Sequence, residues 1–382
     1  MGKSIKEYEK FLFKTLDKYM IAKEYLLDKK MISIKEIMRP KTIKEILKLQ
    51  PLNTSYSYIA SMIHNEKLKN YLLFQAMYIG INPFKDSSVY SIIPAITAEY
   101  GLYHVKGGFY NYILALEKLI GELGGSIEKN TYVTEILQRE NKIHEVKTTK
   151  GFYRADIVVC NADFPYAIEN LFSDDIREGS YSRKNIAEKP CSYAVFMIYL
   201  GLRKKYLVLT LHNIFINKEL EVSFNEPLAG KLPRNPSLYM YYPSALDDSF
   251  CVAGKSVLNI MVRVPNLGHK NIMWNEEDKI NYGNKIIKII KSIPGMEDIE
   301  ENIEFKDYLT PIDLKKRFNA YKGNSFGLSH KLLQSTYLRP HLKSKSIRGL
   351  YYIGSSTHPG NGASVIIDGS RILTKLIEEV EE

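Results

Sequence analysis

The residues best suited to chemistry lie together near the end of the chain, in GLYYIGSSTHPGNGASVIIDGSR at 349–371. Leu350 to Ile353 make a short apolar run of strand type, Gly354 opens a Gly, Ser, Thr and Pro segment suited to a loop, and from Ala363 apolar residues recur at helical spacing. Strand, glycine loop and helix in this order predict unpaired backbone N–H groups and a positive helix end at one mouth. An anion or an electron-rich ring can bind there. Gly360 and Gly362 have no Cβ, so a flat ligand can rest on the backbone. A glycine-rich corner without any ligand has the same local pattern. His358 is the acid–base candidate of the loop, although a histidine before Pro359 in a tight turn also suits a bracing role.

The elements that must position this loop come in a mixed order. Residues 4–28 predict an amphipathic helix with Ile5, Tyr8, Leu12, Leu16, Tyr19, Ala22 and Leu26 on one face and a row of Lys6, Lys10, Lys14 and Lys18 on another. Pro40 opens a second helix that Pro51 ends. Residues 55–80 and 87–99 are helical in pattern and rich in aromatics; Tyr56, Tyr58, Tyr71, Phe74, Tyr78, Phe84 and Tyr90 are expected either to wall a cavity for an extended apolar molecule or to pack between helices. Leu102 to Val105 reads as a strand, FYNYILALEKLIGELGG as a helix ending on a glycine pair, and 126–160 as successive strands with turns at 141–142 and 150–151. Asp163 is the expected cap of a following helix. From Cys191 to Pro265 strands dominate; a helix over 276–293 and a strand over 302–309 lead back toward the loop.

Composition narrows the class. A chain of 382 residues can bury a sizeable core, and three scattered cysteines without a CxxC pair suit a reducing compartment with neither a zinc site nor a disulfide framework. The net charge of +10 is uneven: residues 1–50 hold 13 basic and 7 acidic groups, and 311–350 hold 9 basic and one acidic. Two basic zones suggest an anionic surface as partner. No apolar stretch is long enough to span a bilayer, and no recognition helix or aromatic platform speaks for nucleic acid.

Three pieces together resemble the bacterial-type phytoene desaturases, including the dehydrosqualene (diapophytoene) desaturases, within the amine-oxidase-like flavoproteins. They are GLYHVKGGFYNYILALEKLIGELGGSIEKNTYVTEI at 101–136, ADIVVCNADFP at 155–165, and TPIDLKKRFNAYKGNSFGLSHKLLQSTYLRP followed by LYYIGSSTHPGNG. The likeness covers nearly the whole chain. Two departures stand out: Ala363-Ser364-Val365 replaces the usual hydrophobic-proline pair and small residue, and no GxGxxG fingerprint for the ADP pyrophosphate is present.

The resemblance implies an α/β fold: an incomplete FAD-binding Rossmann-like domain interleaved with a substrate domain of mixed β-sheet and a helical lid. It divides the chain into a helical, membrane-facing part over 1–100, FAD-domain segments over 101–186 and 311–382, and a substrate domain over 187–310. It implies FAD as cofactor, with Gly354, Ser355, Gly360, Gly362, Ala363, Ser364 and Val365 at the flavin and Val133 at the adenosine end. Arg317, Lys322 and Arg339 are expected on solvated surface or at the charged groups of the cofactor or of lipids. The implied activity is carotenoid desaturation of a long isoprenoid by a cytoplasmic, peripherally membrane-associated enzyme, N-terminally truncated or paired with a separately encoded first half. Alternatives are a carotenoid isomerase or oxygenase, or a non-catalytic fragment that binds isoprenoid or membrane without FAD.

Overall fold

The computed structural model describes residues 2–173, 176–269, 272 and 274–381. They pack as two units, one spanning 1–101, 131–192 and 317–382, the other 102–130 and 193–316. The strands, numbered along the chain, are β1 (Val133–Arg139), β2 (Lys142–Thr148), β3 (Gly151–Arg154), β4 (Val158–Cys160), β5 (Arg177–Glu178), β6 (Tyr181–Ser182), β7 (Ala194–Leu202), β8 (His212–Phe215), β9 (Leu238–Tyr241), β10 (Ser256–Val264), β11 (Ile303–Leu309) and β12 (Leu350–Tyr352). This mixture of helix and sheet is of the α/β kind.

The first unit begins with the helix Gly2–Ala22, extended by a π-turn over Lys23–Leu27. Its buried stripe is Phe11, Thr15, Lys18 and Ala22, one position round from the Leu12, Leu16, Tyr19 stripe that polarity predicts. Lys18 leaves the solvated row because its ammonium has acceptors inside: it donates to the Leu49 carbonyl at 2.9 Å and sits 3.5 Å from the centre of the Tyr58 ring. The following helices start where the sequence caps them, at Ser33 with Glu36 in a reciprocal capping box, at Pro40, at Thr54 and at Asn65. Among the aromatics of this region Tyr58 and Phe74 are buried, while Tyr56 stacks on Phe84 at 5.3 Å. The cavity bordered by Ile59, Leu73 and Tyr90 measures about 10 Å³, the lower limit for one water. These helices pack chiefly on one another.

Strands β1, β2 and β3 form an antiparallel meander in that order. The tight turn falls at Glu140-Asn141, both with positive φ of 54° and 57°, one residue before the predicted position. Strand β4 then pairs in parallel with β12, Val158 opposite Leu350 and Cys160 opposite Tyr352. Both faces of β12 are covered, as parallel strands require. Leu350 and Tyr352 join Phe164, Ala167 and Ile168 on one side; Tyr351 and Ile353 join Ile372, Leu373 and Leu376 on the other.

The second unit holds a five-stranded antiparallel sheet in the order β11-β7-β10-β9-β8. Alternate residues of β7 (Phe196, Ile198, Leu200) and β10 (Leu258, Ile260, Val262) meet Ile286, Ile287 and Ile290 of the helix Glu276–Lys291. Phe196 stacks on Trp274 at 5.1 Å with 12° between the planes. Two elements differ from expectation. Leu102–Val105 is a loop, because His104 and the Gly107 amide are drawn to the Asp247 carboxylate at 3.0 and 2.7 Å rather than to a neighbouring strand. Leu220–Leu228 is a helix that the strand-like texture of this region conceals, with Pro227 tolerated in its last turn.

Candidate functional site

The predicted strand, loop and helix are present as β12, residues 353–362 and the helix Ala363–Glu381. Ile366 donates the first helical bond, to the Gly362 carbonyl at 2.9 Å. The amides of Ala363, Ser364 and Val365 therefore precede the helical ladder, at the positive end of the dipole. Gly362, Ala363 and Ser364 are exposed, Gly354, Ser355 and Val365 half-buried, and Gly360 buried. Gly354, Gly360 and Gly362 hold φ of 147°, 140° and 114°, a region that side chains with a Cβ avoid. Gly369 lets the loop close on the last helix, since a Cβ there would come 2.9 Å from Pro359 Cδ. Val133 opens β1, opposite Thr148, in the same unit but in a different sheet from the loop strand.

The loop is held from beneath by Arg339, which is 1% exposed rather than on a solvated surface. Its Nε donates to the Thr357 carbonyl at 3.1 Å and Nη2 to Ser355 at 2.6 Å, both on the loop. The remaining donors go to Leu328 at 3.0 Å, Gln334 at 3.2 Å and Ser329 at 3.3 Å. Five backbone carbonyls thus share one guanidinium, and the fork geometry ties the 328–334 segment to the glycine loop. Of the other two basic candidates, Lys322 donates to the Ala187 carbonyl at 2.6 Å and Arg317 lies 5.6 Å from the centre of the Phe318 ring.

Asp163 stands before the helix Phe164–Asn170 but makes no side-chain cap. Its carboxylate accepts instead from the Ser356 hydroxyl at 2.5 Å and from the Tyr321 amide at 2.8 Å. Burial pushes its pKa up, and these hydrogen bonds oppose the shift. A long-range anchor for the loop has therefore displaced a local cap.

One histidine lies in the loop and a second packs against it. His358 Nε2 donates to the Lys29 carbonyl at 2.8 Å, fixing the loop to the N-terminal helices, and burial lowers its pKa to about 4. His330 is 6% exposed, and neither ring nitrogen has a hydrogen-bond partner among the described residues. Burial, then the nearby Arg339, hold it well below the ordinary imidazole range. Sequence reasoning passed over His330, the anchoring role of Asp163 and the burial of Arg339. The available signal was an arginine and a histidine set among apolar and small residues in SFGLSHKLLQSTYLRP, just ahead of the loop.

The profile of the flavin containing amine oxidoreductases matches residues 23–370. The 4,4'-diapophytoene desaturase (4,4'-diaponeurosporene-forming) of Staphylococcus haemolyticus (strain JCSC1435) is 30% identical over 383 residues, covering 99% of this chain and 76% of that protein. The enzyme of the same name from Staphylococcus aureus (strain MSSA476) is 31% identical over 378 residues, covering 97% and 75%. Among solved structures, an oxidoreductase from Methanosarcina mazei superposes with a TM-score of 0.57 at 16% identity, covering 91% of this chain and 73% of that one. Cyclohexylamine oxidase from Brevibacterium oxydans IH-35A does so with 0.56 at 10% identity, covering 98% and 76%. At such identities these structures speak for the fold alone.

Proposed function

The chain is a member of the flavin-containing amine oxidoreductase family with FAD as its cofactor, and from that premise we propose that it desaturates a long isoprenoid hydrocarbon of the phytoene or dehydrosqualene class in carotenoid formation. The observation that carries this reading is the identity of 30–31% to two diapophytoene desaturases along 97–99% of the chain.

The residues fit a flavin. Gly354, Gly360 and Gly362 leave the loop backbone without side chains, three helix-end amides lie at Ala363, Ser364 and Val365, and the loop is fixed by buried groups. Bound FAD supplies the two-electron oxidant that removes hydrogen across a carbon–carbon bond. The chain's own residues bind and orient: the helix-end amides favour negative charge at the loop, and Arg339 and Asp163 hold the backbone that presents them. A hydrocarbon asks for apolar contact and exclusion of water rather than for polar recognition.

The reading includes two partners. One is a strand–helix segment carrying the ADP-binding glycines. Strand β4 pairs only with β12 among the described residues, and the open edge this leaves supports a further parallel strand there. The other is an anionic membrane surface, from which such a substrate would be drawn. No described helix is long and apolar enough to cross a membrane. Peripheral attachment is supported by Phe13, 71% exposed, and Leu52, 87% exposed, in an N-terminal region rich in lysine.

The test is expression in a host that accumulates dehydrosqualene and in one that accumulates phytoene, followed by pigment analysis. Desaturation is expected to add conjugated double bonds and move absorption to longer wavelength. An isomer or an oxygenated carotenoid as the sole new product, or no change in either host, rejects desaturation.

A further inference from the structure

We propose that His330 is a flavin contact, a neutral imidazole held against the glycine loop so that its ring nitrogens meet polar atoms of the bound isoalloxazine. The inference rests on the flavoenzyme reading and adds a residue to it. His330 is fixed from two sides. A Cβ at Gly360 would come 3.1 Å from His330 Nε2, so the imidazole occupies the space that this glycine leaves free. On another side the Tyr90 ring meets it edge-on at 5.7 Å between centres.

So placed, a neutral imidazole offers one donor and one acceptor, and in the described protein neither is used. Buried polar atoms are nearly always paired, and leaving two unpaired on one ring is costly. The adjacent guanidinium of Arg339 supplies no acceptor, its donors are spent on five carbonyls, and its charge keeps a second cation away. A hydrocarbon substrate has no hydrogen-bonding atom. Of the two molecules that the reaction brings to this loop, the flavin alone carries both N–H and C=O groups.

The test compares wild type with His330→Leu and His330→Gln. Each is melted without flavin, then titrated with FAD while flavin absorbance and fluorescence are followed. His330→Leu is expected to melt no lower than wild type, because it removes two unpaired atoms, yet to bind FAD about tenfold more weakly with a shifted visible band. His330→Gln, which can donate and accept, is expected to recover most of the affinity. A leucine variant with unchanged affinity and band overturns the inference and leaves a buried water as the partner. A leucine variant that melts several degrees lower overturns it in favour of a structural imidazole. Wild-type protein that takes up neither FAD nor, in a parallel titration, FMN, which needs no ADP-binding segment, overturns the inference together with the flavoenzyme reading, whereas a flavin-binding wild type with an indifferent variant overturns the inference alone.

Discussion

Arg339 Nε and the Thr357 carbonyl are joined by a 3.1 Å hydrogen bond that fastens a fully buried cation to the backbone of the glycine loop. Four further carbonyls share the same guanidinium. Arg339→Met is expected to lower stability by about 3–5 kcal/mol, since it strands buried acceptors. Arg339→Lys keeps the charge but has too few donors, and is expected to cost about 1–3 kcal/mol. Urea unfolding measures both; a loss for the methionine variant below about 0.5 kcal/mol contradicts the role.

Gly360 combines a φ of 140° with the close approach of His330. Gly360→Ala is expected to cost about 1–3 kcal/mol. Part of that cost is steric and should be smaller when His330→Ala is also present, so a double-mutant cycle will show coupling. Purely additive effects would place the whole penalty in the backbone.

Lys18 titrates at about 8 in the folded protein because burial disfavours its charge. The unfolded chain holds that proton until about 10.5, so between these values the unfolded state binds more protons. The contribution of Lys18 to stability is accordingly lowest below 8 and rises with pH through that window. Unfolding free energies of wild type and Lys18→Met, compared at about pH 7.5 and 9.5, should shift in favour of wild type at the higher pH.

At acid pH the imidazoles act. His341 and His358 are both lowered to about 4 by burial, whereas an unfolded imidazole takes up its proton near ~6.5. The unfolded state binds more protons between these limits, so stability is full above the upper one and is lost as pH falls toward the lower. Denaturant midpoints should drop steeply across this range, and His341→Gln should flatten the drop.

Membrane attachment predicts co-sedimentation with vesicles containing anionic lipid at low ionic strength and release at high salt. Phe13→Asp and Leu52→Asp, both at exposed positions, should weaken it without lowering the melting temperature. Retention in the supernatant at low salt rejects the attachment.

The chemistry of the loop was written in its letters. Gly354, Gly360 and Gly362 stand where the backbone needs φ values closed to other residues, and the apolar spacing after Ala363 can only be a helix, so local sterics and periodicity settle strand, loop and helix without reference to the rest of the chain. The alternation of β7 and β10 is legible for the same reason. Tertiary structure decided what secures the loop. Asp163 lies 193 residues from Ser356, Lys29 lies 329 from His358, and the Leu49 carbonyl that accepts from Lys18 lies 31 residues away. A polar side chain declares its chemistry in sequence, but whether it faces water or a buried carbonyl depends on which distant backbone the fold brings beside it.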